Sequence, residues 1–284
     1  MSSIFESLFL ALPLLSNHHY PGSSVYALLK QVSRREVENL FSGQDTQAKE
    51  FKPFGDLIFP YHRMGAVDSL NLFDLDELII FSFYWINRQR YRRILDIGAN
   101  IGLHSIILSK CGFDIRAYEP DPQHFEILRS NLVLNNCHNV RAFNAAVSSK
   151  AGIMEFVRVL GNTTGSHLAG SKPNPYGDLE RFPVNVEAIQ PLIMWADLIK
   201  LDVEGHEKEI LLVTDRIHWL NTDALIEISS ESNADTVYEH LTTLGVSLFS
   251  QKTNWRKVCD AADMPTSHKE GTLFATCKRE MPWG

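Results

Sequence analysis

The stretch Asp96-Ile97-Gly98-Ala99-Asn100-Ile101-Gly102 decides the fold. It ends an apolar run over residues 94–97 that predicts a buried strand, and it leads into a helix predicted over residues 104–110. A glycine-rich turn between a strand and a helix is typical of α/β folds, which bind ligands beyond the carboxyl ends of parallel strands. This turn is therefore the first candidate binding site.

Strands and helices also alternate along the rest of the chain. Besides residues 94–97, the pattern predicts strands over 114–118, 140–143, 197–202, 224–228, 246–250 and 272–278, and helices over 75–86, 122–132, 207–220 and 235–244. Seven strands alternating with helices predict a doubly wound α/β fold whose sheet is mostly parallel. This alternating part occupies a predicted domain over residues 71–284.

An insertion interrupts the alternation over residues 152–191. Two extra strands are predicted, over 153–159 and 184–189, and the Gly- and Pro-rich residues 161–182 lie between them. Long loops of this composition inside a compact domain are usually functional or disordered. We therefore expect residues 161–182 to form a mobile lid over the ligand-binding site.

The N-terminal residues 1–70 are predicted to form an accessory helical region, which includes a polar helix over residues 32–41. Residues 4–15 are apolar, but no basic residue precedes them and they are too short to span a bilayer. We expect this segment to be neither a secretory signal nor a membrane anchor. A helix that packs on the main domain, or on a partner subunit in a homo-oligomer, is the expected structure.

The amino-acid composition indicates which binding partners and which cellular compartment to expect. The chain has 284 residues, with 27 Lys plus Arg against 34 Asp plus Glu and a net charge of -7. Binding to nucleic acid needs a basic surface, so nucleic acid is not an expected partner. The four cysteines are scattered without a C-x-x-C pair, as expected in a reducing compartment such as the cytoplasm.

The turn itself discriminates between two cofactor classes. A dinucleotide fold places glycine two positions after Gly98, where the backbone must approach a pyrophosphate, but Asn100 stands there. Asp96 would also put a carboxylate near that phosphate. S-adenosylmethionine carries an ammonium and a sulfonium, which favour acidic neighbours. Glu119, 21 residues after Gly98 at the end of the second strand, is placed to accept hydrogen bonds from ribose hydroxyls.

The fourth strand ends in Lys200-Leu201-Asp202-Val203-Glu204-Gly205-His206-Glu207. Period-two alternation puts Lys200, Asp202 and Glu204 on one side of the strand, with both acids at its carboxyl end. Either acid is suited to remove the proton of a hydroxyl, and His206 is the third candidate. Capping of the next helix is the alternative role for these acids, and a divalent cation held by Asp202 and Glu204 is open but not expected.

These motifs resemble the FkbM family of S-adenosylmethionine-dependent methyltransferases. The resemblance spans about residues 72–278 and rests on residues 95–102, Tyr118-Glu119-Pro120, Asn144-Ala145-Ala146-Val147 and Ile199-Lys200-Leu201-Asp202-Val203-Glu204-Gly205. It implies a class I methyltransferase sheet and O-methyl transfer to a sugar, a glycan or a related natural product. S-adenosylhomocysteine would be the product.

The candidate site residues fall into three groups. The cofactor group is Asp96, Gly98, Ala99, Asn100, Gly102, Glu119, Pro120, Asn144 and Ala145, with the last two near the adenine. The catalytic group is Asp202, Glu204 and His206, and the acceptor-binding group in the lid is Asn162, Thr163, Thr164, Ser166 and His167. A nicotinamide-dependent oxidoreductase and a binding protein that kept the fold without turnover are the alternatives. No zinc or hydrolase motif occurs.

Overall fold

A computed structural model describes residues 4–44, 46–172 and 177–283. Its α-helices are α1 (Ile4–Leu14), α2 (Ser24–Phe41), α3 (Leu75–Ile86), α4 (Leu103–Lys110), α5 (Pro122–Leu134), α6 (Ile189–Ile193), α7 (Glu207–Leu211), α8 (Arg216–Trp219) and α9 (Glu231–Thr243). Its strands are β1 (Lys49–Glu50), β2 (Asp56–Leu57), β3 (Arg63–Met64), β4 (Val67–Asp68), β5 (Arg93–Ile97), β6 (Asp114–Tyr118), β7 (Val140–Phe143), β8 (Ala146–Ser148), β9 (Gly152–Val159), β10 (His167–Leu168), β11 (Leu179–Ala188), β12 (Leu198–Leu201), β13 (Asp223–Ile226), β14 (Ser247–Ser250), β15 (Arg256–Lys257) and β16 (Leu273–Thr276).

The central sheet confirms the predicted α/β fold. Its order is β15-β14-β16-β13-β12-β5-β6-β7, and the five strands from β13 to β7 are parallel. The β16, β14 and β15 strands pair antiparallel at one edge. The seven predicted strands are all present, and β15 adds a two-residue eighth strand beyond them. The order reverses direction at β5 and β12, whose carboxyl ends therefore face the same crevice.

Helices cover both faces of this sheet because successive side chains of the inner strands point to opposite sides. Ile94 belongs to one buried apolar cluster, whereas Leu95 and Ile97 belong to the other. All three are at most 1% exposed, so the apolar run of β5 is buried on both faces. This double burial rigidly fixes the turn that follows β5.

Two helices differ from their predicted bounds. The helix expected over residues 207–220 is two short helices, α7 and α8, because Asp215 begins a new capping box with His218 after α7 has ended. The helix expected over residues 32–41 begins earlier, at Ser24, where the Ser23 side chain accepts a hydrogen bond from the Tyr26 amide. In both cases a short polar side chain at the helix start sets the boundary.

The N-terminal helices pack on the main domain, as predicted. Phe5 and Phe9 of α1 contact Phe51 edge-on at 4.7 and 5.5 Å between ring centroids, and Phe51 in turn meets Phe73 just before α3. The region before residue 70 therefore shares one apolar core with the helices that cover the central sheet. Leu14 lies exposed on α1, and the proposal that this region also contacts a second subunit stays a prediction. Within the described ranges, no helix has the length and apolar character that a membrane crossing requires.

The insertion is a small sheet of its own, and the predicted lid is shorter than expected. The sheet order is β10-β9-β11-β8, and residues 179–186 of β11 run antiparallel to the whole of β9. Residues 179–182, predicted as part of the mobile loop, extend β11, and His167–Leu168 pair with β9 as β10. Part of the predicted lid, residues 173–176, lies outside the described residues. The prediction of one continuous loop over 161–182 is thus wrong, because strand pairing with β9 extends into it.

A buried ion pair fastens this insertion to the central domain. Arg158 of β9 donates from Nε to Asp121 Oδ2 at 2.7 Å and from a terminal nitrogen to Oδ1 at 2.5 Å. The side chains are 3% and 1% exposed, so both charges are fully removed from water. The pair is bidentate, which is the geometry that compensates desolvation best. On the other side of the insertion, Gly65 bridges to Asn162 and links the β3–β4 hairpin to it.

We expect Arg158→Met to destabilise the fold by about 3–5 kcal/mol, because Asp121 would remain buried without its partner. The free energy of unfolding in urea measures the loss. Arg181→Met is the matched control, because Arg181 pairs with Glu155 on the same sheet but both side chains are about half exposed. The control variant should lose less than about 1 kcal/mol. Equal losses in the two variants would contradict a special role for the buried pair.

Candidate active site

A cavity of about 620 Å³, measured with its open mouth, lies at the carboxyl ends of β5, β6 and β12. Gly98 and Asn100 line it from the turn after β5, and Glu119 lines it from the end of β6. Asp202 and Glu204 contribute the opposite wall after β12. The crevice predicted by strand order therefore brings the sequence-predicted cofactor and catalytic residues into one space.

Gly98 allows the β5 turn and the end of β12 to touch. Its φ is +80°, and a Cβ atom added there would overlap the carbonyl oxygen of Asp202. The Asp202 amide donates to Ile97 O at 3.1 Å, and the Gly98 amide donates to Tyr118 O at 3.0 Å. The glycine is needed here both for its backbone conformation and for the missing side chain.

Glu119 is held in place by two backbone amides. Its Oε2 accepts from the Asn100 amide and its Oε1 from the Asp121 amide, each at 2.8 Å. Burial raises the pKa of Glu119 to about 8, although these two hydrogen bonds oppose the shift. Each carboxylate oxygen retains one further acceptor position, which a ribose hydroxyl suits.

Asn100 presents an unsatisfied acceptor on the cavity wall. Its φ is +52°, in the left-handed region, and its amide is used by Glu119. Its side-chain Oδ1 is buried and has no hydrogen-bond partner among the described residues. A buried carbonyl oxygen without a partner is costly, so a donor on a bound ligand, such as an ammonium, would relieve that cost.

Four of the predicted cofactor residues do not line the cavity. Asp96 is fully buried and accepts from Ser105 Oγ at 2.6 Å, so it supports α4 from beneath the turn. Ala99 is buried, and Gly102 caps α4 and packs on Leu128. The Asn144 side chain donates to the carbonyl oxygens of Glu119 and Pro120, which holds the loop instead of meeting an adenine.

Pro120 and Ala145 line the cavity, and their contact with a cofactor stays a prediction. Residues 145–147 form its wall beyond β7, and the ring of Tyr118 lies stacked on Phe143 with 4.8 Å between centroids. These small and aromatic surfaces suit the flat face of a base. An adenine contact at Ala145 stays a prediction.

Asp202 and Glu204 have different environments. Lys200 Nζ donates to Asp202 Oδ2 at 3.2 Å and to Gly98 O at 3.0 Å, which ties the acid to the β5 turn. Glu204 pairs with Lys172 of the insertion at 2.5 Å. Burial and the nearby Asp202 carboxylate raise the pKa of Glu204 to about 7, against the opposing effect of Lys172. A carboxyl group near neutrality is suited to accept and return a proton.

His206 is a packing and hydrogen-bonding residue in this structure. Its Nε2 lies 2.8 Å from Ser148 Oγ, and its Nδ1 lies 3.0 Å from Ser171 Oγ. The ring is 5% exposed, and burial lowers its pKa. Although the ring edges the cavity, both nitrogens already have protein partners. This arrangement supports a positioning role, because His206 links β8 to the insertion, rather than the catalytic role predicted for it.

The predicted acceptor residues of the lid form the roof of the same cavity. Thr163, Thr164, Ser166 and His167 line it, whereas Asn162 does not. Several of their polar atoms already bond to protein: Thr163 Oγ1 lies 2.9 Å from His124 Nε2, and the Val159 amide donates to Ser166 Oγ at 3.1 Å. These residues therefore face the predicted cofactor residues across one space, and an acceptor contact stays a prediction.

Sequence reasoning missed several side chains that shape the site. Asp121 and His124 line the cavity from the start of α5, and the Asp121 side chain also caps that helix. Glu207 is fully buried and accepts from the Gly205 amide and from Ser229 Oγ, both at 2.8 Å. An acid inside the predicted motif therefore fastens the loop after β12 to the segment after β13. For Asp121, the sequence offers one signal. Arg158 stands between Val157 and Val159 in a predicted strand, and a buried cation there needs a buried acid as its partner.

The cavity wall is acidic. Among its described lining residues are Glu119, Asp121, Asp202 and Glu204, but no Lys or Arg. Asp121, Asp202 and Glu204 each pair with a cation that lies outside this lining, Arg158, Lys200 and Lys172 respectively. The lining itself therefore presents no cation to a pyrophosphate, whereas its carboxyl oxygens can accept from an ammonium. In the described part of the chain, no group of three or more His, Cys, Asp or Glu side chains is placed to hold a metal ion.

Comparison with known proteins agrees with this chemistry. A family model described as "Methyltransferase FkbM domain" matches residues 96–241, just over half of the chain. Methyltransferase sdnD of Sordaria araneosa is 30% identical over 159 residues, which cover 44% of this chain and 61% of that protein's length. Methyltransferase 1 of Beauveria bassiana (strain ARSEF 2860) is 23% identical over 188 residues, covering 57% of this chain and 75% of that protein.

Solved structures match with low scores. A precorrin-6y C5,15-methyltransferase from Geobacter metallireducens GS-15 gives a TM-score of 0.38 at 15% identity, covering 69% of this chain and 85% of its own. An O-methyltransferase from Bacillus cereus in complex with SAH gives 0.38 at 13% identity, covering 70% and 80%. Similarity at this level carries no inference about substrate.

We expect Gly98→Ala to be more damaging than Gly112→Ala. Both glycines have φ near +80 to +90°, but a Cβ at Gly112 meets nothing within 4 Å. Gly112→Ala should therefore lose only about 1–2 kcal/mol of stability, the cost of a left-handed backbone conformation for a residue with a Cβ atom. Gly98→Ala adds an overlap with Asp202 O, worth about 1–3 kcal/mol or more. Urea unfolding measures both, and equal losses would contradict the close approach as the reason for Gly98.

Proposed function

The chain belongs to the FkbM family of S-adenosylmethionine-dependent methyltransferases, and from this premise we propose that it methylates a hydroxyl oxygen. The acceptor we propose is a sugar, a glycan or a related hydroxylated natural product. The observation that carries O-methylation is the pair of carboxylates, Asp202 and Glu204, on the cavity wall beside Gly98. Carboxylates at this point are suited to take the proton that a hydroxyl must lose.

The cavity fits the cofactor that the family uses. Asn100 Oδ1 offers an unused buried acceptor for an ammonium, and Glu119 offers its remaining acceptor positions to ribose hydroxyls. The acidic wall complements a cationic ligand. When bound, S-adenosylmethionine supplies an electrophilic methyl carbon on a positively charged sulfur.

The protein's own contribution is position and proton acceptance. Lys200 and the Gly98 contact hold Asp202 beside the turn, so its carboxylate has a fixed place relative to the cofactor cavity. Asp202 would orient the acceptor hydroxyl and accept its proton. Glu204, with a pKa of about 7, is the second carboxyl that shares this proton. Orientation contributes the larger part of such a reaction, because in-line displacement needs three atoms nearly collinear.

Binding of the cofactor is the first test. S-adenosylmethionine and S-adenosylhomocysteine should raise the melting temperature, whereas NAD should not. In calorimetry, Glu119→Ala should weaken the binding of S-adenosylmethionine by about 1–3 kcal/mol, because the hydrogen bonds between ribose hydroxyls and the buried carboxyl group would be lost. Glu126→Ala on the exposed side of α5 is the control and should bind as the parent does. Unchanged affinity in Glu119→Ala would remove Glu119 from the site.

Turnover is the second test. Asp202→Asn should lower kcat by about 10²- to 10⁴-fold, the usual contribution of a general base, with nearly unchanged affinity for S-adenosylmethionine. Asp235→Asn, on the exposed face of α9, removes the same charge and should not change kcat. Transfer of a labelled methyl group to a panel of hydroxylated acceptors gives the rates. Parental turnover by Asp202→Asn would refute the role of Asp202, and cofactor binding without any transfer would favour a binding protein.

A further inference from the structure

A cleft of about 450 Å³ lies at the opposite edge of the central sheet from the cofactor cavity. Arg93, Asp197 and Thr222 line it at the amino ends of β5, β12 and β13. Lys278 lines it just after β16, which runs antiparallel to β13 and so ends at the same edge. The cleft is therefore separate from the active site, and its size is within the range of small-molecule sites.

A run of arginines contributes most of the positive charge of this cleft. Four of the six residues in Arg88-Gln89-Arg90-Tyr91-Arg92-Arg93 are arginines, and Arg90 and Arg93 line the cleft together with Lys278. The guanidinium carbon of Arg90 and the Nζ atom of Lys278 each lie 6.0 Å from the centroid of the Tyr91 ring. At most twice that distance separates these two charges, so both can reach one small ligand.

Asp197 is the acid among the described lining residues, and the protein itself uses both of its oxygens. Its Oδ1 accepts from the Arg93 guanidinium at 2.8 Å. Its Oδ2 accepts from the backbone amides of Arg92 and Arg93, at 3.0 and 2.9 Å. The Asp197 carboxylate therefore holds the start of β5 in place.

Asp223, next to Thr222 in the chain, is buried, and its oxygens are also occupied. Its Oδ1 accepts from the Thr276 hydroxyl at 2.5 Å. Its Oδ2 accepts from the Tyr91 hydroxyl and from Lys278 Nζ, each at 2.8 Å. Both acids near the cleft are thus satisfied by protein donors.

The cations keep donors that these acids do not use. A guanidinium group has five N–H donors and an ammonium has three. Arg93 and Lys278 each spend one side-chain donor on an acid, and Arg90 forms no ion pair within the described residues. Three cations against two acids leave one positive charge in excess, in a chain whose net charge is -7. The cleft therefore offers positive charge and unused donors to an anion.

We propose that this cleft binds a phosphate group, carried by inorganic phosphate or by a small organic phosphate, with Arg90, Arg93 and Lys278 as its donors. A phosphate group presents at least three acceptor oxygens, and a planar guanidinium can bind two of them at once. A carboxylate has two oxygens and would leave more of these donors unused. The site is independent of methyl transfer, because it lies at the other edge of the sheet.

Titration of the full chain with inorganic phosphate, glycerol 3-phosphate and acetate tests the proposal, in a phosphate-free buffer of low ionic strength. In calorimetry, at least one of the two phosphates should bind with a Kd of about 1 mM or lower, and acetate at least about tenfold more weakly. The phosphate that binds more tightly identifies the source of the group, and either result supports the site. Weaker binding of both phosphates, or equal binding of acetate, overturns the proposal.

Two arginines of the same loop locate the site. Arg90→Gln should weaken binding of the tighter phosphate by about tenfold, because a charged hydrogen-bond donor is lost. Arg88→Gln is the matched control, since Arg88 lies over the Trp85 ring at 4.1 Å and donates to Trp85 O. Its affinity should change by less than about twofold, because exposed charges outside a site are screened. Both arginines are exposed, so both variants should fold. Equal losses in the two variants would overturn the site.

Two further measurements separate this proposal from the proposed function. Addition of phosphate should shift the side-chain Nε–H resonances of Arg90 and Arg93, and shifts confined to other arginines would overturn the site. Arg90→Gln should bind S-adenosylhomocysteine as the parent does, because Arg90 does not line the cofactor cavity. A parent protein that binds phosphate but not S-adenosylhomocysteine contradicts only the proposed function.

Discussion

The contact between the turn after β5 and the end of β12 is the constraint on which the rest of the site depends. Gly98 meets the carbonyl oxygen of Asp202 so closely that no side chain fits between them. Because both strands are buried on both faces, neither end can retreat to make room. Asp202 is thereby held on the cavity wall, and Lys200 donates both to the Gly98 carbonyl oxygen and to the Asp202 carboxylate.

The charged side chains of the site have different roles, depending on their partners. Arg158 pairs with the buried Asp121 and with the half-exposed Glu180, and its bond to Asp121 fastens the insertion to the start of α5. Glu119 and Glu207 spend their carboxylates mainly on backbone amides and neighbouring side chains, which orders the loops. Asp202 and Glu204 each pair with a lysine, and both residues also line the cavity. The carboxyl groups of Glu119 and Glu207 therefore stabilise the loops, whereas those of Asp202 and Glu204 are placed to contact a ligand.

The raised pKa values follow from this crowding. Several carboxyl groups share a desolvated region with few cations, so ionising one makes ionising the next more costly. A cationic cofactor would relieve part of that cost, which couples ligand binding to the protonation of the site. Such a cluster of carboxyl groups lowers the free energy of unfolding of the ligand-free protein, but it supplies proton acceptors near neutral pH. The arrangement is therefore better explained by chemistry than by stability.

The sequence by itself determined the sheet, the turn at Gly98 and the family, because apolar periodicity and glycine spacing are local properties of the chain. It also indicated the acids at the end of β12. Only the tertiary structure decided which polar residues line the cavity: Asp96 and Asn144 bond to protein partners, His206 has both nitrogens occupied, and Thr163 lines the same cavity as Glu119. Side-chain partnership depends on distant segments, and no local pattern records it.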